Sequence, residues 1–261
     1  MKYDHLRCGR PGARTVVLVS GLGGAAGYWA PHVASLSAEV DLVLYDQAGT
    51  GANARDLGGT TSIAAMADDV LAICDDAEID RFDLVGHALG GLVGLDLACR
   101  PDNRLDRLVA INAWPEIDAH TARCFDIRLN TLAGQGLEAF VALQQNFLYP
   151  PFWIAAHPEK IAAEEAHAAA HFQGADNLDA RIGALRDFRL GDWPPGDGDG
   201  ATQVLLLCST DDALVDVAQS HRLKASIPGA RLIEYPQGGH ALNLTCQARF
   251  DADLRDFLIA S

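Results

Sequence analysis

The sequence predicts an α/β fold in which a mostly parallel sheet is flanked by helices and carries one helical insertion. Two observations predict the sheet. Short apolar runs alternate regularly with segments of helical length and amphipathic spacing, and the runs are almost continuous in Val, Leu and Ile. Strands buried on both faces read this way, because helices cover each side of a parallel sheet. A third observation, the break in this alternation between Pro115 and about Trp193, predicts the insertion.

The expected strands are "TVVLVS" (15–20), "VDLVLYD" (40–46), "FDLVG" (82–86), "LDRLVAIN" (105–112), "QVLLLCS" (203–209) and "ARLIEYP" (230–236). Between them Tyr28–Leu36, Ser62–Ala77, Leu89–Arg100, Val215–Ser226 and Asn243–Ile259 have helical spacing. Strand and helix in strict turn require crossover connections, and hence parallel pairing. The inserted stretch is helical in composition ("GLEAFVALQQNF", "PEKIAAEEAHAAAHF", "LDARIGALRDF") and is expected to cap the strand ends. "GDWPPGDGDG" (191–200) is a turn-rich return to the sheet. The division is therefore a core of residues 1–114 and 194–261 with a cap of residues 115–193.

Composition narrows the function. At 261 residues, 49% hydrophobic and 21% charged, the chain can bury a substantial core. A formal charge of −15 argues against nucleic acid and anionic membrane as partners and leaves a small-molecule substrate. The start "MKYDHLRCGRPG" has no signal-peptide core, and no stretch reaches the roughly 18 apolar residues of a membrane helix. Six cysteines without a C-x-x-C spacing fit reduced thiols, so a cytoplasmic protein is expected. Oligomeric state is left open.

Three places could carry chemistry. Gly21, Gly23 and Ala26 match the dinucleotide fingerprint G-x-G-x-x-[GA], and Asp46 ends the next strand. The following helix begins too late, near Tyr28, to bring its N-terminus to a pyrophosphate. A glycine loop of ordinary close approach is the better account, and no cofactor is expected. His167 and His171 share a helix face at zinc-ligand spacing, but no Glu follows the first and no third ligand is evident, so no metal is expected.

The third place is "FDLVGHALGGLVGLDLA": a buried strand, a turn framed by Gly86, Gly90 and Gly91, then a helix. This is the frame of a nucleophile elbow, G-x-S-x-G, with Ala88 where serine would stand. "STDDALV" (209–215) follows the next strand but one, and "GGHALN" (238–243) follows the last predicted strand. Elbow, acid, then histidine is the chain order of α/β hydrolases, so the fold class is α/β hydrolase, with all three loops at the carboxyl ends of strands.

The sequence also resembles a particular group of small α/β hydrolases, the D proteins of the Rut pathway of bacterial uracil catabolism. The resemblance rests on "SGLGGAAGYW", "YDQAGTG", "GHALGGLVGLDLA", "INAWPEIDAHTARCF", "AHFQGADNL" and "STDDALV". That group carries alanine in the elbow. The resemblance implies Asp212 as the acid, in preference to Asp211, His240 as the base and Ala88 as a vacated nucleophile position. It also implies an oxyanion hole from the N–H groups of Leu22 and Leu89.

Alanine cannot attack a carbonyl. Loss of a triad serine costs on the order of 10⁶ in kcat and leaves ~10³–10⁴ from the hole and from binding. Such power suits a substrate that is already labile. The pathway implies two: carbamate, which is preferred, and 3-aminoacrylate. Either carries a carboxylate, for which Arg123 and Arg128 in the cap, with Asn112 and Trp114, are candidate contacts. The competing class is a binding protein that has abandoned catalysis; the survival of Asp212 and His240 together argues against it.

Overall fold

The computed structural model describes residues 1–194 and 201–259. Among them, seven strands form one sheet in the order β1-β3-β2-β4-β5-β6-β7. The strands are β1 (Asp4–Leu6), β2 (Thr15–Val19), β3 (Asp41–Leu44), β4 (Phe82–His87), β5 (Leu105–Ile111), β6 (Gln203–Ser209) and β7 (Arg231–Tyr235). All neighbouring pairs are parallel except β1 with β3, where Asp4 pairs with Leu44 and Leu6 with Leu42. The edge strand β1 was not expected. Three residues are too few to show an apolar period.

Side chains alternate across the central strands, as a period of two requires. Val17, Val19, Leu84, Leu108 and Leu206 enter one core with α2 (Ile63–Asp76) and α3 (Leu89–Ala98). Val16, Leu18, Val85, Val109, Leu205 and Leu207 enter the other, with α1 (Ala30–Leu36) and α11 (Gln247–Leu258). Ser62 caps α2 by accepting the Ala65 N–H at 3.0 Å. The helix expected at 215–226 starts later, as α9 (Val217–Ser226), because Asp216 caps it through the Ala218 N–H. The helix expected at 243–259 is two pieces, α10 (Leu242–Thr245) and α11, broken where Cys246 leaves helical geometry at φ −117°, ψ 34°.

The insertion is five helices: α4 (Ala119–Gln135), α5 (Leu137–Leu148), α6 (Pro151–Ala156), α7 (Pro158–Ala170) and α8 (Ala175–Asp187). Its two ends meet. The Leu190 N–H donates to the Pro115 carbonyl at 2.7 Å, and Glu116 bridges Arg189. Of the turn-rich return, residues 191–194 are irregular and 195–200 lie outside the described residues. No helix among the described residues is long and apolar enough to cross a membrane.

Candidate active site

The junction of β4 and α3 is built as a sharp turn. Ala88 stands at φ 48°, ψ −107°, a conformation that a residue with a Cβ adopts at a cost and that aims its side chain off the strand end. Its N–H donates to the Ile111 carbonyl at 2.8 Å, which ties the turn to β5. The glycines let the turn close. A Cβ on Gly90 would lie 2.1 Å from the Val19 carbonyl oxygen, and one on Gly86 would lie 2.2 Å from the Gly90 backbone.

His240 reaches this turn from the loop after β7. Its Nδ1 lies 2.7 Å from Asp212 Oδ2, and both side chains are buried. Asp212 Oδ1 accepts the Leu214 and Val215 N–H groups at 2.7 and 3.0 Å, so the carboxylate cannot rotate away. Asp211 does something else: it accepts the Gly239 N–H at 2.7 Å and the Ser209 hydroxyl, joining the acid loop to the histidine loop. The His240 ring meets that of His87, the residue before Ala88, with centroids 4.8 Å apart. An imidazole with one nitrogen held by a carboxylate and the other left for a ligand can take or give a proton.

The His240 backbone is clamped. His87 Nε2 lies 2.8 Å from its carbonyl and Asn112 Nδ2 donates to the same oxygen at 2.6 Å. Asn112 was expected as a substrate contact; its amide nitrogen is instead spent on holding the histidine. The chain bends there at φ 49°. The cap contributes as well, since the Ala241 N–H donates to the Leu148 carbonyl at 2.9 Å.

Burial, helped by the positive charge available to His240, pushes His87 down to about 3. His87 therefore stays neutral and its Nε2–H donates. The sign of the linkage is set by the unfolded chain, whose histidine titrates near 6.5 and takes the proton first as pH falls. Stability is then lost progressively from pH 6.5 toward 3, by up to about 5 kcal/mol from this group. Burial also lowers His32, in the same direction. Urea midpoints between pH 7 and 4 should fall, and His87→Gln, which keeps a donor without the titration, should flatten part of that slope. An unchanged slope would refute the assignment.

The Leu22 and Leu89 N–H groups flank the turn, in the loop after β2 and at the first position of α3. Neither is used by a turn or loop hydrogen bond among the described residues. Trp114 is buried among cap and sheet residues, with no partner for its indole N–H among the described residues. The two cap arginines separate. On α4, Thr121, Cys124, Phe125 and Arg128 form the buried stripe, whereas Arg123 lies on the exposed side. Arg123 was expected as a substrate contact and is corrected here: five residues from Arg128, it sits about 140° around the helix. Arg128 is buried against the Phe125 ring and has neither an acidic partner nor an acceptor for its Nε among the described residues. Burial lowers it to about 10.

The other sequence candidates have structural duties. Asp46 staples its loop by accepting the Ala26 and Ala52 N–H groups at 2.8 and 2.7 Å, and α1 begins only at Ala30. His167 and His171 stack with centroids 4.1 Å apart on an exposed helix face, and no group of three potential metal ligands occurs among the described residues. Arg181 and Gln47 were not singled out by sequence reasoning. Arg181 is wholly buried on α8 and bonds to the Gln47 side chain and to the loop that carries Leu22. Its position on the apolar stripe of Leu178, Ile182 and Leu185 was a usable signal, because a charge on a buried stripe must have partners.

The sheet, the elbow and the order of acid and histidine loops define an α/β hydrolase, and the chain belongs to the alpha/beta hydrolase fold family, which it matches over residues 14–245. The enol-lactonase of Burkholderia xenovorans LB400 superposes with a TM-score of 0.86 at 25% identity, covering 98% of this chain and 95% of that one. MGS-M2, an α/β hydrolase enzyme from a deep-sea metagenome of the Medee basin, shares the fold with a TM-score of 0.89 at 16% identity, covering 100% and 94%. Among sequences, the RutD protein of Rhizobium rhizogenes, whose name provisionally assigns it carbamate hydrolysis, is 44% identical, covering 100% of this chain and 98% of that protein. RutD of Pseudomonas savastanoi pv. phaseolicola is also 44% identical, covering 100% and 99%. Within the hydrolase fold, the chain belongs to the RutD family.

Proposed function

We propose that this protein breaks the carbon–nitrogen bond of a small, labile product of pyrimidine ring catabolism, with carbamate as substrate, by acid–base chemistry of His240 and Asp212 and no covalent nucleophile. The observation that carries this reading is the hydrogen-bonded His240–Asp212 pair, buried beside a nucleophile position that holds only a methyl group. The names of the RutD relatives support the substrate.

In the proposed step a carboxylate oxygen of carbamate accepts hydrogen bonds from the Leu22 and Leu89 N–H groups. Protonated His240 gives its Nε2 proton to the carbamate nitrogen. The carbon–nitrogen bond then breaks with its electron pair going to nitrogen, and ammonia and carbon dioxide leave. Water returns the proton to His240, whose cationic form Asp212 stabilises.

Arg128 favours a second reading. A buried cation without an acidic partner suits a carboxylate separate from the reacting carbon, as in 3-aminoacrylate. Its imine tautomer would take up water activated by neutral His240 and release ammonia, leaving malonic semialdehyde. Arg128 lies one turn beyond Cys124, whose thiol is 4.0 Å from the Ala213 carbonyl next to Asp212.

The test is ammonia release from freshly generated carbamate and, separately, from freshly generated 3-aminoacrylate, each with and without protein. Acceleration of carbamate breakdown above buffer supports the first reading, and acceleration of aminoacrylate alone supports the second. Rates equal to buffer for both would leave a binding role and overturn both.

A further inference from the structure

Arg181 is a buried charge without a counter-ion. Its guanidinium makes no ion pair among the described residues, and every acceptor it has is neutral. Nε donates to the Leu22 carbonyl at 3.2 Å, Nη1 to the Ala48 carbonyl at 3.3 Å and Nη2 to the Gly21 carbonyl at 3.5 Å. Nη2 also donates to the Gln47 side-chain oxygen. Gln47 in turn donates to the Ser20 carbonyl at 2.6 Å, and its own N–H donates to the Gly24 carbonyl at 2.8 Å. One cap side chain thus holds both loops that meet behind the elbow.

The Gly21 carbonyl and the Leu22 N–H belong to the same peptide plane and, in a trans peptide, point in opposite directions. Two donors, Arg181 Nη2 and the Gly24 N–H at 3.0 Å, take the carbonyl. The direction of the Leu22 N–H is thereby set. The next carbonyl, that of Leu22, is held by Arg181 Nε and by Gln173 Nε2 at 3.1 Å, again from the cap. A cation bonded to a peptide carbonyl also polarises that peptide and strengthens its N–H as a donor. Uncompensated positive charge behind the loop adds to the attraction for an oxyanion in front of it.

We propose that Arg181, with Gln173, is a positioning residue through which the cap completes the oxyanion hole. The core supplies the two N–H groups; the cap fixes the direction of one of them and places a buried positive charge behind it. The proposal rests on the assignment of the Leu22 and Leu89 N–H groups as the hole, and it extends to any oxyanion the hole would hold. It needs no particular substrate.

Bicarbonate, the oxygen analogue of carbamate, is the probe. In protein labelled with ¹⁵N-leucine, bicarbonate is expected to shift the Leu22 and Leu89 amide resonances together. Arg181→Gln should weaken that affinity by about tenfold or more, the worth of roughly one well-placed charged donor. Arg181→Lys, which keeps the charge and loses the fork, should fall between. Gln173→Ala removes the partly buried second donor, and should weaken bicarbonate by about threefold with the fold intact. On carbamate, whose carboxylate the same two N–H groups would hold, Arg181→Lys should raise KM by about the factor lost for bicarbonate with kcat little changed, a split that a loss of packing alone does not produce.

The proposal is overturned if bicarbonate moves neither leucine in the wild type, or if folded Arg181→Gln binds it as the wild type does. Should both arginine variants fail to fold, an unaltered response in Gln173→Ala overturns it. A wild type that responds to bicarbonate but leaves carbamate at the buffer rate sinks the substrate and leaves the positioning role standing.

Discussion

Replacing His240 by alanine is expected to return carbamate breakdown to the buffer rate, a loss of about 10²–10⁴, the usual worth of a positioned acid or base. His87 is the nearest imidazole, but its Nε2 is committed to the His240 carbonyl and its affinity for a proton is very low. Asp212→Asn should produce a loss of the same order without loss of the fold. The oxygen that accepts the Leu214 and Val215 N–H groups must remain an oxygen, so the new amide nitrogen faces Nδ1 of the histidine. A donor there forces Nδ1 to accept and leaves no anion to stabilise the cationic ring. Ammonia release against pH measures both. Wild-type rates in either variant would remove the acid–base mechanism.

The second large effect is a gain. Ala88→Ser should create covalent chemistry at the elbow, because the turn is formed, His240, paired with Asp212, packs against the neighbouring His87 ring, and the proposed hole flanks the same position. A triad serine is worth on the order of 10⁶ in kcat, and even partial recovery should raise hydrolysis of an activated ester such as p-nitrophenyl acetate by about 10³. The signature is a burst of p-nitrophenol equal to the enzyme concentration, with an acyl adduct visible by mass spectrometry. Folded Ala88→Ser protein showing neither would mean that His240 is not placed to deprotonate a group at the elbow, and the direct proton transfer from His240 to the carbamate nitrogen would lose its geometric basis as well.

Much of this arrangement was legible in the sequence because it depends on local constraints. Continuous Val, Leu and Ile mark strands covered on both sides, and Gly86 and Gly90 mark a turn that admits no Cβ. The choice between Asp211 and Asp212 was not legible from adjacency. It depends on which carboxylate the loop turns inward, and the structure gives the two residues separate tasks. The contrast between Arg123 and Arg128 was legible in principle: helical periodicity puts residues 121, 124, 125 and 128 on one stripe. Asn112 was placed at the right strand end, but the duty of its amide nitrogen was not legible, since a bond to a main-chain carbonyl 128 residues away leaves no trace in spacing. The three-residue edge strand and the break at Cys246 were hidden for a simpler reason, being shorter than the periods that reveal elements.

The neutrality of the acceptors around Arg181 has a consequence for the medium in which the protein can work. Exposed ion pairs such as Arg186–Asp126 and Arg222–Glu116 lie within reach of dissolved ions, which screen charge over about 8–10 Å at physiological ionic strength. A guanidinium enclosed by main-chain carbonyls and an amide, with no surface exposure, is out of their reach. Concentrated salt should therefore loosen the outer charge pairs while the seam between cap and core around Leu22 stays closed.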